Sequence, residues 1–414
     1  MAIKAGYTIP LKINNFNIMK NYSLLLFMCF FWVCSLSNAQ ERGDIKIPDI
    51  LGYKTLKCDL HLHTVFSDGT VWPAERVEEA WREGLDAISI TDHIESKYRI
   101  YLNGLFNIPV NKEFKVSYDV NVKPKDIPDH NVSYEAARKA ALMKDIILIK
   151  GGEITRSMPP GHCNAIFLND VNKLDTPDWK DAFTEAHKQG AFIFWNHPWG
   201  PLPEGKTLDN YDSSWLEEHE WLYKQGFMHG IEVFNVNDYS PEAHKWAIEK
   251  NLTIMANTDY HYPIERGYKT QLGELRTMTL VFAQDRSPEA IKEALIDRRT
   301  VAYCDNNLVG EKKFLEAIFL NSIVVEKVTK THFGFQIIIH NKSDLIFNLS
   351  KAPYNDPLFE FFSPQILPAG ERSTMRIYAR NESSYKTFDM KFIVDNLLVA
   401  PWEGLPVTLT FIPD

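Results

Sequence analysis

Cysteine is scarce in this chain. Of five in 414 residues, Cys29 and Cys34 fall inside an apolar run near the N-terminus and lack the small-residue context of a lipid-modified cysteine. The three beyond it, Cys58, Cys163 and Cys304, are odd in number and widely spaced, so no disulfide framework is implied. Cys163 beside His162 reads as a packed thiol before it reads as a ligand. A positive excess is lacking too. The 45 Lys and Arg against 54 Asp and Glu leave a formal charge of −9, which disfavours charge-driven binding to nucleic acid or to anionic membrane. No Gly-x-Ser-x-Gly segment offers a serine nucleophile. The apolar stretch Ser23–Ser35 falls short of the ~20 residues a spanning helix needs.

What that N-terminus does have is the pattern of an export signal. Met19-Lys20 begins a short positive region, the apolar stretch follows, and Ser37-Asn38-Ala39 puts small residues before Gln40. Residues 1–39 are therefore expected to be upstream residues plus a signal, with translation starting at Met1 or Met19. The destination is periplasmic or extracellular, without stable membrane insertion once the signal is cut. Residues 40–54 are a polar lead-in punctuated by Pro48.

The remainder has a globular composition, 45% hydrophobic and 13% aromatic. From Thr55 a unit repeats: a short apolar strand, a loop carrying His, Asp or Glu, then an amphipathic helix. Strands are expected at Leu56–His61, Ala87–Thr91, Ile146–Lys150, Asn164–Leu168, Ala191–Trp195, Gly230–Asn235 and Leu252–Ala256. Helices are expected at Ala74–Glu83, Ser133–Met143, Trp179–Gln189, Trp215–Gln225 and Pro241–Lys250, the first with Ala74, Val77, Ala80 and Trp81 on its apolar side and charges elsewhere. This alternation implies an α/β fold with buried parallel strands over residues 55–305. The stretch from Ile94 to Asp129 breaks the rhythm and is expected as an insert, either covering a site or lying on the surface. From about Phe314 the period changes to two. Seven or so short strands separated by turns such as Asn341-Lys342-Ser343-Asp344 imply a small β-sandwich over 314–414, an accessory module.

Potential ligands recur where the strands of the first domain end. They are His61, His63 and Asp68 after the first, Asp92 and His93 after the second, and Glu153 after the third. His162 stands at the start of the fourth, His197 follows the fifth, and Asp259 and His261 follow the seventh. Each alone has a bland explanation as a helix cap or a hydrogen-bonded residue. Together, ten such groups on one rim would repel or stay unsatisfied without cations.

The order His-x-His, Asp-Gly, Thr-Asp-His, Gly-Glu-Ile-Thr, Gly-His, Asn-His-Pro, Asp-x-His resembles the PHP family, named for polymerase and histidinol phosphatase, over about Thr55 to Tyr303. The resemblance implies a distorted (β/α)7 barrel with three divalent metal ions at its C-terminal rim. It implies one ion on His61, His63, Glu153 and Asp259, a second on the bridging Glu153 with His162 and His197, and a third on Asp68, His93 and His261. Such mixed ligands suit Zn, Mn or Fe. Asp92 is left as an orienter of a ligand histidine or a proton acceptor. Arg156 is a candidate for holding a phosphate oxygen.

Clustered metal ions activate water and clamp the oxygens of an in-line displacement at phosphorus. The expectation is thus an exported phosphoesterase acting on a small organic phosphate ester through a metal-bridging hydroxide, with diesters slightly favoured over monoesters and nucleic acid not favoured. Two other readings stay open. One is a metal-dependent hydrolase of C–N or C–O bonds, distinguished by comparing phosphate diesters with esters or amides. The other is a non-catalytic metal- or phosphate-binding protein, distinguished by tight binding without turnover.

Overall fold

The computed structural model describes residues 41–94, 129–198, 215–353, 358–379 and 385–414. The expected export signal and nearly all of the expected 94–129 insert lie outside them. Among the described residues, no helix is long and apolar enough to cross a membrane.

Seven strands fall where the sequence pattern puts them: β1 (Lys54–Leu62), β2 (Ala87–Ile90), β3 (Ile147–Thr155), β4 (His162–Ile166), β5 (Phe192–Trp195), β6 (Gly230–Asn235) and, after the short β7 (Asp238–Tyr239), β8 (Thr253–Asn257). Between them run α1 (Pro73–Arg82), α2 (Val132–Lys144), α3 (Trp179–Lys188), α4 (Glu217–Lys224) and α5 (Pro241–Lys250). Local chemistry starts these helices. Pro73 and Pro241 occupy first-turn positions where a missing N–H does no harm, Asp178 accepts from Lys180 N, and the Ser240 side chain accepts from Ala243 N. The charges of α1 are not all outward, however. Arg76 and Glu79 are as buried as Val77 and Ala80.

Strand direction departs from the all-parallel expectation. β1, β2 and β3 are parallel, as are β5, β6 and β8, but β4 runs antiparallel to both β3 and β5. The reason is length: only residues 156–161 separate β3 from β4, and a parallel return needs a crossover of a dozen or more residues. β9 (Met278–Ala283) then pairs antiparallel with β1. Helix α6 (Pro288–Ile296), β10 (Thr300–Cys304) and β11 (Asn307–Gly310) follow. The ladder is thus a large mixed sheet in which β1 lies between β9 and β2, while β8 pairs with β6. Past the strand ends β8 and β1 are joined by backbone bonds, Asp259 N donating to His61 O at 2.9 Å and His63 N to Tyr260 O at 3.3 Å.

Helix α7 (Lys312–Ser322) leads into a β domain. One sheet holds β12 (Ile323–Thr331), β13 (Gly334–Asn341), β17 (Arg372–Ala379) and β15 (Phe359–Phe361). Against it lie β14 (Phe347–Lys351), β16 (Gln365–Leu367), β18 (Phe388–Ala400) and β19 (Glu403–Phe411). Burial alternates along β13, β17 and β19, as a sheet with one solvated face requires. The two textures of the sequence share a sheet: β11 pairs in parallel with β18 through Leu308 with Leu397 and Val309 with Leu398. Phe314, Leu315, Ile318 and Phe319 of α7 belong to one buried cluster with Phe282 of β9 and Phe347 of β14. The fold is α/β with a large central sheet and a C-terminal β domain.

Candidate metal centre

The strand ends bring all nine expected ligands to one place. His61 and His63 share a face of β1 by its two-residue period. Their Nε2 atoms are 3.1 Å apart, and Asp259 Oδ1 lies 3.1 Å from the first and 2.9 Å from the second. Glu153, fully buried on β3, puts Oε2 2.5 Å from His93 Nδ1 and Oε1 3.0 Å from His162 Nδ1, with His197 Nε2 at 3.8 Å. Asp68 faces His261 Nε2 at 3.0 Å and His93 Nε2 at 3.4 Å. Three groups are close enough to share a cation: His63, Asp68, His93 and His261; His61, His63 and Asp259; and His93, Glu153 and His162. His63 and His93 each belong to two of them, and His197 flanks Glu153 and Asp259.

The donor chemistry fits metal ions. Glu153 Oε2, His162 Nδ1 and Asp259 Oδ1 are buried and, although ligand atoms face them at 2.5–3.1 Å, make no hydrogen bond of good geometry, a costly state for polar atoms. Ring nitrogens that face each other and carboxylates are arranged as ligands are around a cation. Burial together with His261 and His93 pushes the His63 pKa down to about 4, which leaves its imidazole neutral and its lone pair available. Burial pushes Glu153 up, but His93 and His162 more than offset it, and the same contest with His61 holds Asp259 well below the usual carboxylate range. Burial pushes the Cys163 and Cys58 thiols up instead, and with Cys304 they are buried free cysteines.

A supporting layer holds these ligands, and sequence reading did not find it. Glu232, fully buried on β6, accepts from His197 N at 2.8 Å, Asn235 Nδ2 at 2.8 Å and Asn257 Nδ2 at 3.0 Å, and lies 2.9 Å from His61 Nδ1. Its signal was an acid in the middle of the apolar run Gly230-Ile231-Glu232-Val233-Phe234. Arg76 of α1 donates to His63 O, Tyr260 O and Tyr262 O at 2.7–3.0 Å and pairs with Glu79 at 2.7 Å, tying the two ends that carry His63 and His261. Asn196 Nδ2 donates to Glu153 Oε1 at 3.0 Å. His197 and Asp259 sit at φ 27° and 51°, left-handed backbone that non-glycine residues adopt at a cost, and their N–H groups are held by Glu232 and by His61 O. Gly69, after Asp68, has room for no Cβ, since one would lie 2.8 Å from the backbone of His63 and Thr64.

Asp92 and Arg156 turn out differently. Asp92 Oδ1 accepts from Thr64 N and Ser67 Oγ, and Oδ2 from Thr64 Oγ1, each at 2.7 Å. It braces the loop that carries Asp68. Arg156 donates to the carbonyls of Thr176 at 2.8 Å and Pro177 at 3.4 Å and so holds the turn before α3. His219 and His244, outside this ligand set, are also fully buried.

A buried His, Asp and Glu cluster at the ends of an α/β sheet, with a β domain behind it, defines a metal-site protein with an accessory module. Residues 324–410 match a family model described as an Ig-like domain (DUF5001). Along its length the chain is 43% identical to a two-domain protein from Bacteroides vulgatus of known crystal structure, described as containing a predicted PHP-like metal-dependent phosphoesterase. That likeness covers 90% of this chain and 100% of the other, with a TM-score of 0.78. An uncharacterized protein of Methanocaldococcus jannaschii is 29% identical over 146 residues, which span 34% of this chain and 66% of that protein, just under two thirds of its length. The chain belongs to the PHP-like family, in a two-domain form with a C-terminal Ig-like domain.

Proposed function

We propose that this protein is a metal-dependent phosphoesterase acting on small organic phosphate esters. The observation that carries the reading is the convergence of eight clustered His, Asp and Glu side chains, with His197 flanking them, three of whose buried ligand atoms make no hydrogen bond of good geometry. His61, His63, Glu153 and Asp259 would hold one divalent ion, Glu153 with His162 and His197 a second, and Asp68, His93 and His261 a third, with Zn, Mn or Fe all compatible. Bound there, such ions supply activation of water and neutralisation of charge at phosphorus. The chain's own part is positioning. Glu153 lies between two of the groups, Glu232 fixes the orientation of His61, and Arg76 and Asp92 hold the ends and the loop that bring His63, His261 and Asp68 together. The partial ring of strands, joined at its rim through Asp259 and His61, is read as a distorted seven-stranded barrel. Arg156, three residues after Glu153, is retained as a candidate contact for a phosphate oxygen.

Two finer points belong to the same proposal. Export follows from Lys20, the apolar Ser23–Ser35 and Ser37-Asn38-Ala39, and an extracytoplasmic substrate goes with it. Diesters are slightly favoured over monoesters, and the charge of −9 argues against a polyanionic nucleic acid. The test is to measure bound metal on purified residues 40–414 and turnover of mono- and bis-(p-nitrophenyl) phosphate with Zn or Mn, beside an ester and an amide. Phosphoester turnover that vanishes in a folded Glu153→Ala protein is expected. Turnover of the ester or amide alone, tight phosphate binding without turnover, or near-normal activity in Glu153→Ala would overturn it.

A further inference from the structure

At the start of β8, the end of that strand away from Asp259, lies a cavity of about 490 Å³, within the range of sites for small organic ligands. It is bounded by α5, β8, β10, the turn from β11 into α7, and Val399 of β18. The metal centre shares none of its lining.

Its charge stands out against the chain as a whole. Arg298, Lys312 and Lys313 face one acid, Glu311, so the lining carries three positive groups against one negative in a protein of net charge −9. Glu311 is already engaged by Lys313 at 2.7 Å. Lys312 and Lys313 open α7, whose first turn has no acid and whose start has no side-chain cap. Glu311 at the N-cap offsets Lys313 and leaves Lys312 opposing the helix dipole, an arrangement that folding by itself does not favour.

Arg298 is the stronger sign. It follows α6 at φ 56°. Its N donates to Leu295 O at 3.1 Å, and Arg299 N donates to Ala294 O at 2.8 Å. These two bonds close the helix in the way that usually calls for glycine at the left-handed position. An arginine stands there instead, and the fold makes no use of its charge. Neighbouring Arg299 is paired with Asp297 and Glu293. Arg298 has no ion pair among the described residues, and its Nε is buried without a hydrogen-bond partner. Leu252, Ile254 and Val399 give the same cavity an apolar wall.

We propose that this cavity binds a small organic dianion, a phosphate or phosphonate carried on an apolar group, at a site separate from the metal centre. The two excess positive charges suit a dianion, the planar guanidinium suits its paired oxygens, and the apolar wall suits the organic part. The proposal does not depend on the phosphoesterase reading.

The test is calorimetric titration of the metal-loaded full chain and its Arg298→Gly variant with phenylphosphonate, inorganic phosphate and benzoate. Glycine is the residue this backbone favours, so the variant is expected to melt at or above the wild-type temperature with unchanged bound metal. Phenylphosphonate is expected to occupy one site fewer in Arg298→Gly, or to bind that site at least tenfold more weakly, and to bind wild type more tightly than phosphate does. Identical titrations of the two proteins, or no phenylphosphonate binding outside the metal centre, would overturn the proposal. Benzoate binding as tightly as phenylphosphonate would overturn the assignment to a dianion.

Discussion

Replacing Glu232 by Gln changes one oxygen to an NH2 group and leaves shape and volume almost intact. At most buried carboxylates such a change is absorbed by turning the amide toward an acceptor. Here neither orientation works. Oε1 accepts from Asn257 Nδ2 and lies against His61 Nδ1, while Oε2 accepts from His197 N and Asn235 Nδ2. Asn257 cannot flip to help, because its own Oδ1 accepts from Leu60 N at 2.8 Å, and His197 N is backbone. In either orientation the new NH2 group therefore faces at least one fixed donor, Asn257 Nδ2 or His197 N, in a site with no exposure to water. A buried unsatisfied donor costs about 1–3 kcal/mol, so Glu232→Gln should lose about that much stability. Loss of the partner that orients a ligand histidine should also weaken metal binding about 10–100-fold. Urea unfolding of the metal-free protein measures the first effect, and competitive titration with Zn or Mn measures the second. Metal affinity within about twofold of wild type, at unchanged stability, would refute the supporting role given to Glu232.

Arg76→Met removes a fully buried guanidinium that holds three carbonyls and leaves Glu79, 1% exposed, without its cation. A loss of about 3–5 kcal/mol in urea unfolding is expected, and less than about 1 kcal/mol would show that the clamp is dispensable. Asp92→Asn keeps an acceptor for the 64–67 loop, so activity should stay within about tenfold of wild type if Asp92 only braces that loop, whereas a loss beyond about 100-fold would assign proton transfer to Asp92. His244 offers a pH test away from the metal centre. Burial lowers its pKa from 6.5 to about 4, while Tyr239 hydroxyl lies 2.8 Å from Nδ1. Below pH 6.5 the unfolded chain takes up a proton that the folded one refuses, so stability from this group is complete above about pH 7 and is lost as pH falls toward 4, by about 3 kcal/mol in all. Replacing His244 by Leu should flatten the slope of stability between pH 6.5 and 4.5, and an unchanged slope would count against the burial argument.

Several features were legible in the sequence because they are local. Short apolar runs and amphipathic stripes marked β1, β6, α1 and α5, and the residue types at the ends of the apolar runs marked His61, His63, Glu153, His197 and Asp259. The change of period near Phe314 marked the β domain. The fold left less trace where neighbours in sequence say nothing of neighbours in space. The segment 278–310 passed without assignment, and there β9 and β10 pair antiparallel with each other and join β1 to the β domain through β11.

The sequence by itself determined which ligand types this protein carries and the order in which successive strands deliver them, since side-chain chemistry and strand period are properties of short stretches. Only the tertiary structure decided what holds those ligands in place. Glu232 meets His61 across 171 residues, and Arg76 meets Tyr260 across 184. On a single strand or helix each of these reads as an ordinary charge, and it acquires its role only when folding removes water from around it and leaves one set of partners to satisfy it.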